Sequence, residues 1–136
     1  MMRVVQCILL AVGLFGVSCS GWVYDKEIAP NYSLSAMDSM AQLELEHCDG
    51  QVYLSVVGPT VTAIGVSKSH IIVKQSPYRR PGGTDWSRTL YFVVVLPKDS
   101  AVYPKEGIHG PMSYEEFLQA RIRLGVPADL KLREVP

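Results

Sequence analysis

The residues best equipped for chemistry in this chain are three histidines and three cysteines, and their spacing does not build an obvious reaction centre. His47 and Cys48 are neighbours, the pair a thiol enzyme would use if imidazole and sulfur could meet. In a strand, consecutive side chains point to opposite faces, so these two diverge. His70 and His109 stand far off in sequence, and no His-x-x-His, Cys-x-x-Cys or Asp-rich spacing supplies a ligand set. A Gly-x-Ser-x-Gly elbow, a Ser-x-x-Lys pair and a phosphate-cradling glycine loop are also missing. The expectation is therefore a non-catalytic chain without metal or cofactor. Cys48 should be an exposed thiol at a hairpin tip, and His47 should sit at the core edge. The rival enzyme reading, through Cys48 or a histidine, requires a concave site holding two of His47, His70 and His109.

A stronger signal for binding lies between Ser76 and Arg88. This stretch holds Tyr78, Arg79, Arg80, Trp86 and Arg88 against one acid, Asp85. Arginine and aromatic residues together are enriched where proteins grip partners, and long loops on a sheet often carry function. An anionic headgroup, a glycan or a partner protein would suit such a loop. The plainer alternative is a solvated crossover whose Trp86 packs back on the core. Gly82-Gly83 within it marks a turn. Asp38-Ser39-Met40 and Asp99-Ser100-Ala101 resemble the short acceptor of general O-glycosylation systems, which would make Ser39 and Ser100 candidate glycan sites.

The N-terminus carries an address. Arg3 precedes a nearly unbroken apolar stretch from Val4 to Phe15, and Gly16-Val17-Ser18 supplies small residues, the order of an export signal. That stretch is too short to span a bilayer, which takes about 20 residues. Leu14 to Cys19 resembles a bacterial lipobox, with Gly16 standing where the pattern usually has Leu. The resemblance implies cleavage after Ser18 and acylation of Cys19. Several acyl chains hold a protein where one would bind only reversibly. Ser20 after the cysteine implies the outer membrane, at its periplasmic face. Cys7 would leave with the signal and Cys48 would have no disulfide partner. Were Cys19 not lipidated, a Cys19–Cys48 bridge would become possible.

Charge excludes one class of partner. Lys and Arg number 13 and Asp and Glu number 13, so the net charge is zero, and nucleic-acid binding lacks its basic footprint.

The elements that must position these residues are mostly strands. Tyr32 to Met37 is expected to be the first. Asp49-Gly50 between alternating segments predicts a two-residue hairpin turn that sets Cys48 opposite Gln51 and His47 opposite Val52. Leu43, Leu45, Val52, Leu54 and Val56 would share the buried face. Thr60 to Ser67 and His70 to Gln75 form a second pair. Leu90 to Leu96 is apolar without alternation, as in a central strand covered on both faces. Ala101 to Tyr103 would add a short edge strand. Ser113 and Glu116 then form a capping box, with Met112 and Phe117 in the staple positions, and Gly125 and Pro127 end the helix. That helix should bury Phe117, Leu118 and Leu124 and turn Glu115, Gln119, Arg121 and Arg123 to solvent.

Trp22-Val23-Tyr24-Asp25, Ile71 to Pro77, and Gly110 to Phe117 leading to Leu124-Gly125-Val126-Pro127 resemble a family of small uncharacterised bacterial lipoproteins. The whole reading is a signal over residues 1–18, a lipidated Cys19 and tether to Gly21, and one domain over 22–136. The fold class is α+β, mainly β, an antiparallel meander of about six strands with one C-terminal helix packed on the sheet. The function expected is a membrane-anchored envelope lipoprotein that binds an envelope protein or glycan, with an inhibitor or immunity lipoprotein as the rival.

Overall fold

Period-two alternation sorts most of the chain into strands. The computed structural model describes residues 23–136, so the signal, Cys19, the tether and Trp22 lie outside the described residues. Strands β1 (Tyr24–Ala29), β2 (Tyr32–Ala36), β3 (Glu44–Cys48) and β4 (Tyr53–Val57) form a four-stranded antiparallel meander. The chain continues through β5 (Val61–Val66), β6 (His70–Gln75), a small ribbon of β7 (Tyr78–Arg79) and β8 (Gly83–Thr84), β9 (Leu90–Val95), β10 (Ile108–Met112), the helix α1 (Tyr114–Arg123) and β11 (Arg133–Glu134). A second sheet of five strands runs in the order β10, β9, β6, β5, β11.

The mainly β, antiparallel class with one C-terminal helix is what the sequence led us to expect. The single six-stranded meander is not, because the strands divide between two sheets. Gly58-Pro59-Thr60 is the break: β4 and β5 belong to different sheets, and Val61 N–H donates to the Leu43 carbonyl at 2.9 Å across the junction. Tyr32, Leu34, Leu45 and Val57 from the first sheet, with Leu43 just before β3, pack with Val61, Ile71, Val73, Phe92 and Val94 from the second. The other face of the second sheet presents Ile72 and Val93 to Phe117, Ala120 and Val126. That double burial explains the unalternating apolar run at β9. Five strands escaped the sequence reading: β1, β10 and the two-residue strands β7, β8 and β11. β1 is a largely exposed edge strand, and β10 contains Gly110-Pro111, which reads as a turn but is tolerated at a sheet edge. Ala101 to Tyr103, expected as a strand, is a turn and bend instead.

The hairpin after β3 corrects the expected register. Cys48 pairs with Tyr53, His47 with Leu54 and Glu46 with Ser55, and a bulge follows before Leu45 meets Val57. The connection is thus Asp49 to Val52 and not a two-residue turn. The Asp49 carboxylate decides it by accepting from the backbone N–H groups of Gln51 and Val52, both at 3.0 Å. Val52 and Leu54, expected in the core, are about half exposed, at 52% and 48%. Those bonds to Val52 and Gln51 hold the Asp49 carboxyl below its ordinary range. Since the folded value is depressed, its contribution to stability is present above the unfolded value and disappears as pH falls through the folded one. Asp49→Ala is accordingly expected to lower the urea midpoint at pH 7, and the gap from wild type should close in acid. A gap that stayed constant on acidification would mean the turn does not depend on the ionised carboxylate.

At α1 the capping box is present: Glu116 N–H donates to Ser113 Oγ at 3.2 Å, and Ser113 N–H donates to Glu116 Oε1 at 2.8 Å. Gly125, at φ +71°, ends the helix with Val126 N–H donating to the Arg121 carbonyl at 2.9 Å and Gly125 N–H to that of Ile122 at 3.2 Å. The buried face differs from the expected one. Phe117 and Ala120 are inside, Leu124 is half-buried and Leu118 is 43% exposed. Arg121 turns inward enough to donate to the carbonyls of Pro127 and Leu130 at 3.0 and 2.6 Å.

Candidate functional site

The segment from Ser76 to Arg88 folds as the β7–β8 ribbon and is bonded firmly to the sandwich. Tyr78 pairs with Thr84 and Arg79 with Gly83. Thr60, buried at the sheet junction, bonds the Ala41 carbonyl at 2.6 Å and the Thr84 hydroxyl at 2.7 Å. Tyr78 N–H donates to the Pro59 carbonyl at 3.1 Å, and Asp85 N–H to that of Pro77 at 2.8 Å. Such a base presents its side chains at little further cost in ordering.

What the ribbon presents is a tryptophan and three guanidinium groups. Trp86 is 67% exposed, so it does not pack back on the core. Arg79, Arg80 and Arg88 are all exposed. Ser87, donating from its hydroxyl and N–H, and then the charges of Arg88 and Arg79 hold the Asp85 carboxyl below its usual range.

Two grooves flank the ribbon. One, of about 430 Å³, is lined by Tyr78, Arg80, Met37, Asp38, Glu44 and Glu46, among others. Burial, followed by the neighbouring Glu46, pushes the Glu44 carboxyl up against a hydrogen bond from Ser55, and Glu46 itself accepts from Ser35. The other, of about 280 Å³, brings Trp86 beside Met40, Val61 and Val135. Met37 and Met40 are 48% and 36% exposed. The sequence reading missed both, since lone methionines beside a short 3₁₀ turn (Met40–Gln42) carry no period. Proximity to the ribbon gives them meaning.

The other candidate residues lie apart. His47 is buried among Tyr32, Tyr103 and Ser100, and its Nε2–H donates to the Ser100 carbonyl at 2.8 Å. It is a core residue more deeply enclosed than the edge position expected for it. His70 bonds Ser69 Oγ through Nδ1 and the Leu124 carbonyl through Nε2, at 2.6 and 2.8 Å. His109 sits on β10 opposite Val93. Cys48 is half-buried, and its sulfur accepts from Gly50 N–H at 3.3 Å. The sulfur is also the first cause of the raised Tyr53 hydroxyl pKa. Among the described residues no group of three or more His, Cys, Asp and Glu side chains could hold a metal ion. Ser39 is exposed with a hydroxyl that makes no cap bond, whereas Ser100 Oγ donates to Asn31 Oδ1 at 2.7 Å.

An opening of about 860 Å³ lies where the edge strand β1 of one sheet approaches β5 and the edge strand β11 of the other. Leu34 and Ile64 are among its apolar walls. Lys26, Lys131 and Arg133 alternate around it with Glu27, Asp129 and Glu134, so it favours neither sign of ligand. The described helices include none long and apolar enough to cross a membrane.

The class defined by these features is an open two-sheet antiparallel sandwich with one external helix and a projecting aromatic–arginine ribbon. Over residues 29–136 the sequence matches DUF3997, a family described as proteins of unknown function, and the chain belongs to it. No curated protein and no solved structure matches the chain.

Proposed function

We propose that this chain is a lipoprotein of the bacterial cell envelope, anchored through Cys19 at the periplasmic face of the outer membrane. Its domain serves as a non-catalytic binding module that works through the β7–β8 ribbon. The observation that carries the binding role is Trp86: an indole left 67% exposed on a well-bonded ribbon beside Arg79, Arg80 and Arg88. Leaving so large an aromatic side chain in water forfeits about 1.5–3 kcal/mol of burial, which a binding event can recover. The anchoring role is supported by the order of Arg3, the Val4–Phe15 stretch, and Ser18-Cys19.

Anchoring is tested by intact mass of the membrane-extracted protein. The expected mass is that of residues 19–136 plus diacylglyceryl and acyl groups, and Cys19→Ser should lose those groups. A mature mass without acyl groups would remove the anchor. Binding is tested separately by in-cell crosslinking of the Arg79→Ala, Arg80→Ala, Trp86→Ala triple variant, which should lose wild-type contacts. An unchanged crosslink profile in a folded variant would sink the ribbon as a site.

A further inference from the structure

We infer that the ribbon is a membrane-docking face: Trp86, Met37 and Met40, with Arg79, Arg80 and Arg88, rest on the bilayer that holds the lipid anchor. This inference rests on the Cys19 anchor proposed above and names the surface that the ribbon binds.

Topology puts the ribbon and the anchor at one end of the sandwich. β1 runs antiparallel to β2, so its first residue, Tyr24, lies opposite Ala36, and Val23 N–H donates to the Ala36 carbonyl at 2.9 Å. Met37 follows at once and shares a groove with Tyr78 and Arg80. Met40, three residues on, shares the adjoining groove with Trp86. The chain therefore departs toward Cys19 from the end that carries the ribbon.

The leash is short. Cys19 precedes Val23 by four positions, a distance that even a fully extended chain spans with at most about 14 Å. A strand of six residues is itself about 20 Å long. The β1 start must then remain close to the headgroups, while the Asp49–Val52 turn at the far end of the meander points away.

The side chains suit that position. Tryptophan favours the boundary between headgroups and acyl chains. Guanidinium groups bind lipid phosphates with paired hydrogen bonds and can reach them over apolar stems. Asp85 on the ribbon and Asp38, Glu44 and Glu46 around the adjoining groove offset the charge of Arg79, Arg80 and Arg88, so the contribution of this face lies in the exposed guanidinium groups themselves and not in a net positive charge. Acyl chains combined with an arginine-bearing, aromatic surface make a two-signal attachment, which fixes orientation as well as location. Val52, Tyr53, Leu54 and Val102 are also exposed apolar residues, but none of that group is a tryptophan or accompanied by arginine in the Asp49–Ser55 hairpin.

The test uses the full-length, membrane-extracted protein carrying Trp22→Phe, so that Trp86 is the remaining indole. It is reconstituted into vesicles of phosphatidylethanolamine and phosphatidylglycerol, with or without bromine on the acyl chains. The expected result is a blue-shifted Trp86 emission that bromolipid quenches, and quenching that weakens in the Arg79→Ala, Arg80→Ala, Arg88→Ala variant. Emission unaffected by bromolipid, with the acyl mass on Cys19 verified, would overturn docking and leave the anchor standing. Quenching equal in the arginine variant and in vesicles of purely zwitterionic lipid would overturn the role given to the guanidinium groups. Photocrosslinks from position 86 that capture protein and exclude lipid would also overturn docking. Absence of the acyl mass would instead remove the anchor on which docking rests.

Discussion

Phe117→Ala is expected to cost about 3–5 kcal/mol and to release α1 from the second sheet. The Phe117 ring is 1% exposed and stacks on Tyr91 at 4.9 Å between centroids, with an interplanar angle of 24°. Its neighbours Ile72, Val93, Ala120 and Val126 form the small core beneath the helix, and the Arg121 guanidinium lies 5.7 Å over its ring. Truncation would empty the centre of that cluster. A ten-residue helix has too little intrinsic stability to remain helical without it. Urea unfolding and amide exchange along Tyr114–Arg123 would measure the loss. Leu118→Ala is the internal comparison. At 43% exposure it should change stability by about 0.5 kcal/mol or less. Equal losses for the two variants would show that the helix is seated differently.

The second large effect is expected in the first sheet, on β3. His47→Ala should cost about 2–4 kcal/mol, through a cavity and an orphaned carbonyl. The imidazole is 2% exposed and meets Tyr32 and Tyr103 edge-on, with centroids 4.9 and 5.8 Å away. Because the Ser100 carbonyl can only accept, Nε2 must carry the proton in that 2.8 Å bond. The segment of residues 97–104 that carries Ser100 is tied to the first sheet and its β1–β2 turn by Ser100 Oγ donating to Asn31 Oδ1 at 2.7 Å and by Tyr103 Oη donating to the Ser55 carbonyl at 2.6 Å. The intact site already carries one cost. Among the described residues, Tyr32 Oη is the buried side-chain polar atom without a hydrogen-bond partner, and burial, then Tyr103, pushes its pKa up to about 12. Loss of His47 should raise proteolysis and amide exchange between residues 97 and 104. His47→Gln, which keeps a donor, should lose less than His47→Ala. If glutamine restores nothing, cavity formation alone accounts for the cost.

Local chemistry was legible where it acts over a few residues. Ser113 and Glu116 announced the start of α1, and Gly125 its end, because caps satisfy backbone groups within one turn. Apolar runs located β6 and β9, and the Asp49-Gly50 pair located a reversal of the chain. The ribbon's unusual residues were also visible as a cluster of arginine and aromatic side chains between Ser76 and Arg88. What the sequence by itself determined, then, is the strand-rich class, the capped helix and the composition of the candidate binding segment.

Tertiary structure decided what those residues face. The Asp49 side chain lengthened the turn and moved the β3–β4 register by two residues. The break at Gly58-Pro59-Thr60 sent the later strands to a second sheet, which no alternation pattern could announce. Phe117 and Leu118 are adjacent apolar residues about 100° apart around the helix, and the position of the sheet alone chose Phe117 for burial. Above all, only the pairing of Tyr24 with Ala36 joins the start of β1 to Met37, Met40 and the ribbon. Side-chain type is a property of the chain, but the end of a sandwich at which residues gather is set by strand pairing over long sequence separations.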